Sequence, residues 1–289
     1  MPRADSTTGT RPDNKAAQRP QPPPATVVLL VRHGTTTTTG KELPGRAPGL
    51  HLAESGVRQA EDVAARIVRV TSRPDGSDAA TADPSPEPPV PAPEPGAGGP
   101  TAGGAAASGN GSWDGDGHAE GMAEPAPSGP RGVAAVYASP LDRTRETAAS
   151  IAAAVGREVL VDDDLIELDV GDWTGMALSE AREKPEWKTI QRYPSGFTFP
   201  GGESFVAMQA RMITTLEKLR RRHPGETVVA VSHADPIRAV VAHAMGTHLD
   251  MLQRVVVSPC SLTAIALGET GPVVLTVNAT GDPGGLVPS

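Results

Sequence analysis

The stretch Val27-Val28-Leu29-Leu30-Val31-Arg32-His33-Gly34 joins five consecutive apolar residues directly to an Arg-His-Gly tripeptide. An apolar run of this length, mostly β-branched, predicts a strand buried on both faces. The tripeptide then leaves the strand at its carboxyl end, where open α/β sheets gather their ligands. Histidine supplies a neutral nucleophile near pH 7, and the arginine beside it offers a planar fork for phosphate oxygens. Gly34 permits a sharp turn or a close backbone approach. A tripeptide is short enough to recur by chance, so its weight depends on whether the chain supplies partners.

It does, twice. Thr227-Val228-Val229-Ala230-Val231-Ser232-His233 repeats the design, a buried strand with a histidine at its carboxyl end. Asp235-Pro236 then opens a helix, with Asp a preferred N-cap and Pro a preferred first residue. The free N–H groups at that helix start, Ala234 included, are expected to face an anion between the strand ends. A third strand end, Ala138-Ser139-Pro140-Leu141-Asp142-Arg143, delivers another arginine into a helix start. In a parallel sheet these ends share one edge. Two arginines, two histidines and a helix amino terminus there suit a tetrahedral dianion.

The remaining elements alternate. A helix from about Ala53 shows Val57, Ala60, Ala64, Ile67 and Val68 on one face. A second strand is read at 133–138, a helix from Asp142 to Val155 ended by Gly156, and a short strand over Val159–Val161. Residues 165–205 are read as irregular; they hold Trp173 and Trp187 together with every Phe of the chain, Phe197, Phe199 and Phe205. Helices are expected over Glu203–Arg222, stopped by His223-Pro224-Gly225, and over Pro236–Met245. Two late strands, 262–267 and 273–277, are joined by Gly268-Glu269-Thr270-Gly271-Pro272 as a hairpin. The pattern predicts an α/β three-layer sandwich, with a mainly parallel central sheet, one antiparallel strand, and helices on both faces.

Composition separates this body from its surroundings. Residues 73–130 hold 12 Pro and 12 Gly in 58 positions, far past the roughly 25–30% that marks low complexity. A disordered insertion is expected there, with disordered tails at 1–25 and 280–289 and a single domain over 26–279. Closing a long flexible loop costs little more than closing a short one, so a helix-to-strand connection tolerates such an insertion. The formal net charge is −8, and the insertion alone carries nine acidic residues against Arg73. The rest of the chain is neutral, which leaves no electrostatic footprint for nucleic acid or anionic membrane. Cys260 is the only cysteine, and no apolar run reaches the ~18 residues of a membrane span. The expectation is a soluble, cytoplasmic protein, with monomer and homodimer both open.

A phosphate site of this kind needs a proton donor. Glu167, flanked by apolar neighbours in Leu165-Ile166-Glu167-Leu168, is the candidate, with Asp169 and Asp172 as rivals. Taken together, the motifs resemble the histidine phosphatase superfamily in its phosphoglycerate-mutase-like branch. Arg32-His33-Gly34 matches the family's opening tripeptide. Ser139 to Ala148 matches Ser-Pro-Leu-x-Arg-x-x-x-Thr-Ala, and Leu165 to Gly175 matches Leu-x-Glu-x-x-x-Gly-x-Trp-x-Gly. Pro200-Gly201-Gly202-Glu203-Ser204 and Ser232-His233 complete five motifs in the family's order. The resemblance implies a phosphoglycerate-mutase-like fold with catalytic His33, Glu167, His233, Arg32 and Arg143. It implies phosphate or substrate contacts from Arg32, Arg143, His233, Thr36, Thr39 and Ala234, a small phosphorylated substrate, and neither cofactor nor metal.

Departures shape the reading. The family often carries Asn seven residues after its first Arg; here that position is Thr39, a hydroxyl of shorter reach, whereas Thr36 keeps the family's Thr. The Thr35–Gly40 and Gly45–Gly49 blocks resemble an actinobacterial group described as phosphomutases. The Glu-Arg dipeptide of phosphoglycerate mutases is absent, since Glu167 is followed by Leu168-Asp169, which favours hydrolysis over transfer. Three functions stay in view: a metal-independent phosphomonoesterase, a phosphomutase using the same phosphohistidine, and a non-catalytic phosphate-binding regulator. Arg46 either reaches substrate or stays solvated. Arg143 has a plain alternative as a surface partner of Asp142 or Glu146. Trp173, Phe197 and Phe199 are read as packing a lid onto the core, and His51, His118, His223, His243 and His248 as uninvolved.

Overall fold

The computed structural model describes residues 24–72 and 132–281. The expected tails (1–25 and 280–289) and insertion (73–130) lie outside them, apart from residues 24–25 and 280–281. Six strands form the central sheet: β1 (Thr26–Arg32), β3 (Ala135–Ala138), β4 (Val159–Val161), β6 (Thr227–Ser232), β7 (Leu262–Gly268) and β8 (Gly271–Ala279). Their order is β4-β3-β6-β1-β7-β8. The first four are parallel, and β7 runs against both β1 and β8. A two-stranded ribbon pairs β2 (Glu42–Leu43) with β5 (Met176–Ala177).

Alternation along β1 explains the layers. Val28 and Leu30 join a cluster with Met212, Leu216 and Leu219 of α5 (Phe205–Arg222) and Ile237, Val240 and Val241 of α6 (Ala234–Ala244). Leu29 and Val31 face the other way, onto Ala60, Val63, Ala64 and Ile67 of α1 (Glu54–Thr71) and Ala148, Ile151 and Ala152 of α2 (Asp142–Val155). Helices therefore cover both faces of the sheet, as the continuous apolar runs predict. β1 at its centre is sealed from water, so its carboxyl end is a rigid place to mount a side chain.

Four differences from the sequence reading have local causes. The segment read as irregular contains α3 (Leu178–Glu183) and α4 (Trp187–Arg192) besides β5. Each helix is six residues long, too short for a 3.6-residue period to show. On α1 the buried stripe is Gly56, Ala60, Val63, Ala64 and Ile67, and Val57 is exposed. The rotation follows from Gly56, which admits the backbone of the preceding loop. Helix α6 begins at Ala234 with the extended His233 as its N-cap, so Pro236 is its third residue and Asp235 pairs with Arg238 instead of capping. The final hairpin turns through Glu269-Thr270 alone, with Gly268 opposite Gly271, and Pro272 sits on the edge strand where a missing N–H is tolerated.

Two contacts matter later. A Cβ on Gly34 would meet Gly56 O at 2.5 Å, and one on Gly56 would meet Thr35 O at 2.1 Å. The start of α1 thus presses on the turn that follows His33. Glycine to alanine inside a helix ordinarily stabilises by about 1 kcal/mol. At Gly56 the clash is with backbone, and overpacking of this kind costs roughly 1–3 kcal/mol. Gly56→Ala is expected to lower the urea midpoint; an unchanged or raised midpoint would show that the turn has room to move. The second contact closes the gap in the description, because Gly132 N–H donates to Thr71 O at 3.2 Å.

Candidate active site

Strand register builds the site. Arg32 pairs with Ser232 across the parallel β1–β6 ladder, and His33 N–H donates to Ser232 O at 3.0 Å. His33 and His233 therefore leave adjacent strands side by side, their rings edge to face with centroids 5.2 Å apart. On the far side of β6, Ala138 of β3 pairs with Val231, so Ser139 emerges beside His233. Its Oγ lies 2.8 Å from His233 Nε2. Arg143, the second residue of α2, is fully buried, which removes the surface-pair alternative. Asp142 instead accepts from Gly49 N–H, and Glu146 from Leu52 N–H with His51 against its other oxygen.

Each ionisable group is set by its surroundings. His33 Nδ1 is 2.8 Å from Gly34 O, and a carbonyl only accepts, so the ring proton is on Nδ1 and Nε2 holds a free lone pair. Burial, then the Arg32 and Arg143 charges, push the His33 pKa down to about 3. The ring is neutral at physiological pH. His233 is also held well below the ordinary value, by burial first and then by His33 and the nearby arginines. Glu167 goes the other way. Burial, with Asp235 next, raises its pKa to about 7, against the opposing pull of Arg143 and Arg32. Glu167 Oε2 lies 3.7 Å from His233 Nδ1, while Oε1 accepts from Leu168 N–H at 2.9 Å.

Among the described residues six buried side-chain nitrogen or oxygen atoms have no hydrogen-bond partner, and four of them belong to this cluster: Arg32 Nε, Arg143 Nε and Nη1, and His233 Nδ1. Buried polar groups are nearly always paired, so four orphans together in one charged cluster mark where an anion goes. The remaining guanidinium bonds fix the planes. Arg32 Nη1 donates to Val257 O at 2.7 Å and Arg143 Nη2 to Gly45 O at 2.8 Å. Burial lowers the pKa of both arginines, the cost of holding two cations out of water.

The other expected site residues fall at varied places. Ala234 opens α6 directly after His233. Thr39 Oγ1 accepts from Thr36 N–H at 2.9 Å and lies 3.0 Å from Thr36 Oγ1, so the two threonines hold one another. Arg46 is committed within the protein, to Glu167 O, Asp169 and Glu203. Asp169 is tied to Arg46 and Asp172 is exposed, which leaves Glu167 as the carboxyl beside the histidines. Trp173, Phe197 and Phe199 are buried against one another at centroid distances of 5.0 to 6.2 Å and pack onto Phe205 and Met208 of α5. Two functional supports were not singled out from sequence. Ser139 holds His233, and Thr147 accepts from Gly34 N–H at 3.1 Å. Both lie inside the Ser139–Ala148 motif, and that position was the available signal.

Known proteins resemble this chain in sequence and in fold. Phosphoserine phosphatase 1 of Hydrogenobacter thermophilus is 38% identical over 147 residues, covering 50% of this chain and 70% of that protein. A bifunctional protein of Mycobacterium tuberculosis is 36% identical over 152 residues, 52% of this chain and 42% of its own length. Among solved structures, a mycobacterial glucosyl-3-phosphoglycerate phosphatase aligns with a TM-score of 0.60 at 19% identity, covering 88% of this chain and 99% of that one, a likeness of fold. The model of the histidine phosphatase superfamily (branch 1) matches residues 115–280. That range begins beyond β1, yet β1 lies between β6 and β7 in the same sheet and brings His33 to the matched residues. The chain belongs to the histidine phosphatase superfamily, branch 1.

Proposed function

We propose that the chain is a phosphomonoesterase for a small phosphorylated metabolite, working through a phosphohistidine on His33. The observation that carries this reading is the set of four unpartnered nitrogens on Arg32, Arg143 and His233 around a neutral, pre-oriented imidazole. His33 Nε2 attacks phosphorus while the bond to the leaving oxygen breaks. The two guanidinium groups and His233 Nδ1–H take up the charge on the equatorial oxygens. In that tautomer the Ser139 hydroxyl, 2.8 Å from His233 Nε2, donates to it and the ring proton stays on Nδ1. Glu167, protonated, gives its proton to the leaving alkoxide. It then accepts a proton from the water that attacks the phosphohistidine, and phosphate leaves as the P–N bond breaks. All the charge needed comes from side chains, so the reaction draws on no metal and turnover is expected to survive EDTA.

The names of the relatives, phosphatases of phosphoserine and of glucosyl-3-phosphoglycerate, support a small phosphorylated metabolite as substrate class. Hydrolysis is favoured over transfer by Leu168-Asp169 after the acid. A screen of phosphorylated metabolites should show free phosphate released. Isomerised product from a bisphosphate, with little free phosphate, would make the protein a mutase.

The acid also sets a pH dependence. Glu167 donates only when protonated, so activity on alkyl phosphates is expected to fall about tenfold per unit once pH rises through its raised pKa of about 7. His33 is already neutral above about 3 and adds no limb near neutrality. The groups facing Glu167 are Asp235, Arg143, Arg32 and His233. Profiles of kcat/KM for the wild type and Glu167→Gln check this; a basic limb that persists in the variant would place the acid elsewhere.

A further inference from the structure

Arg46, Glu203 and Arg211 come from three distant parts of the chain and meet in one half-buried cluster behind the acid. Glu203 Oε1 accepts from Arg211 Nε at 2.8 Å, and Oε2 accepts from Arg211 Nη2 at 3.0 Å and from Arg46 Nη2 at 2.9 Å. Both arginines then turn to the same main-chain atom, Glu167 O, through Arg46 Nε at 2.8 Å and Arg211 Nη2 at 3.1 Å. Arg211 Nη1 also donates to Asp164 O at 2.8 Å, Arg46 Nη1 pairs with Asp169, and Glu203 N–H donates to Asp169 O at 2.9 Å.

Residues 166–170, which carry Glu167, belong to no helix or strand. A carboxyl group on such a segment has no ladder to hold it, yet a general acid must stand within about 3.2 Å of the oxygen it protonates. Two cations on one carbonyl would repel each other without a carboxylate between them, and Glu203 is that carboxylate. We propose that Arg46, Glu203 and Arg211 form a clamp that positions the Glu167 backbone, and with it the proton delivered to the leaving group. The clamp touches no reacting atom; it acts through Glu167, and it therefore rests on the acid role assigned above.

A positioning role differs from a merely structural one in its dependence on the leaving group. A misplacement of about 1 Å costs roughly 100-fold where geometry is critical. Glu203→Ala is expected to lower kcat/KM, which reads only the steps up to departure of the leaving group, by roughly 30–100-fold on an alkyl ester such as glycerol phosphate and by no more than about 3-fold on p-nitrophenyl phosphate, because p-nitrophenolate leaves without a proton. In a Glu167→Gln background the same substitution should add less than about 3-fold on the alkyl ester, since coupled residues are not additive. Inhibition by inorganic phosphate, which reads Arg32 and Arg143, should be unchanged and reports an intact fold. Should Glu203→Ala fail to fold, Arg46→Ala, on a more exposed side chain, is expected to show the same pattern. Equal losses on both esters, or full multiplication with Glu167→Gln, would overturn the clamp. Equal losses from Glu167→Gln alone would instead overturn the acid assignment itself.

Discussion

Replacing His33 with alanine is expected to lower turnover by roughly 10⁴-fold or more, the usual scale for losing the nucleophile in covalent catalysis. Among the described residues none stands ready to substitute for it. The His33 Nδ1 proton is held by Gly34 O, which aims Nε2 into the site, whereas the neighbouring His233 has its Nε2 against Ser139 and sits on the next strand. Wild-type protein quenched during turnover should carry phosphate that is labile in acid and stable in alkali, up to one equivalent, and His33→Ala should carry none. Phosphoenzyme in the variant, or its absence from the wild type under a trapping quench, would remove the covalent step.

The second large effect is at Arg143, where activity and stability should move in opposite directions. Arg143→Met is expected to lower kcat/KM by roughly 10³-fold, since removing one preorganised donor to a developing oxyanion costs 10²–10³ and this residue supplies two. The same change should stabilise the phosphate-free protein. In the wild type Arg143 is fully buried, with Nη2 bonded to Gly45 O and no protein partner for Nε or Nη1. Holding this cation out of water is costly, as its lowered pKa shows, and replacing a buried charge by an apolar side chain of similar length often stabilises by about 1–4 kcal/mol, so methionine is expected to gain on that scale in urea denaturation. Inorganic phosphate should act in the opposite direction. At a hundredfold excess over its Kd it stabilises the wild type by about 2.7 kcal/mol, with little effect on the variant. A variant less stable than wild type in phosphate-free buffer, protected equally by phosphate, would mean that Arg143 serves packing and not the anion.

These effects trace back to features of unequal legibility. The histidines and Arg143 were readable because each follows a strand buried on both faces, and such strands announce themselves as unbroken apolar runs. Their convergence needed only the rule that parallel strands end on a common edge; the register Arg32 opposite Ser232 then does the rest. Glu167 was readable from its apolar flanks. What lay hidden was the apparatus around it. In a linear reading Arg46 stands between substrate and solvent, Glu203 is one residue of a motif with no stated task and Arg211 is not singled out, and only the fold shows that two guanidinium groups and a carboxylate close on one carbonyl. Helices α3 and α4 were hidden for another reason. At under two turns each they are held by the cluster of Trp173, Phe197, Phe199 and Leu252, not by any periodic face of their own.

The hydrogen bond from Gly132 to Thr71 has a practical meaning for anyone who wishes to engineer this protein. It holds the end of α1 and the approach to β3 side by side, so the two described ends of the chain on either side of residues 73–131 lie within one hydrogen bond of each other. A segment whose own ends lie that close together, whether a short turn or a fluorescent reporter, fits between those two points without changing the spacing they already have. That makes the junction a natural docking port for cargo.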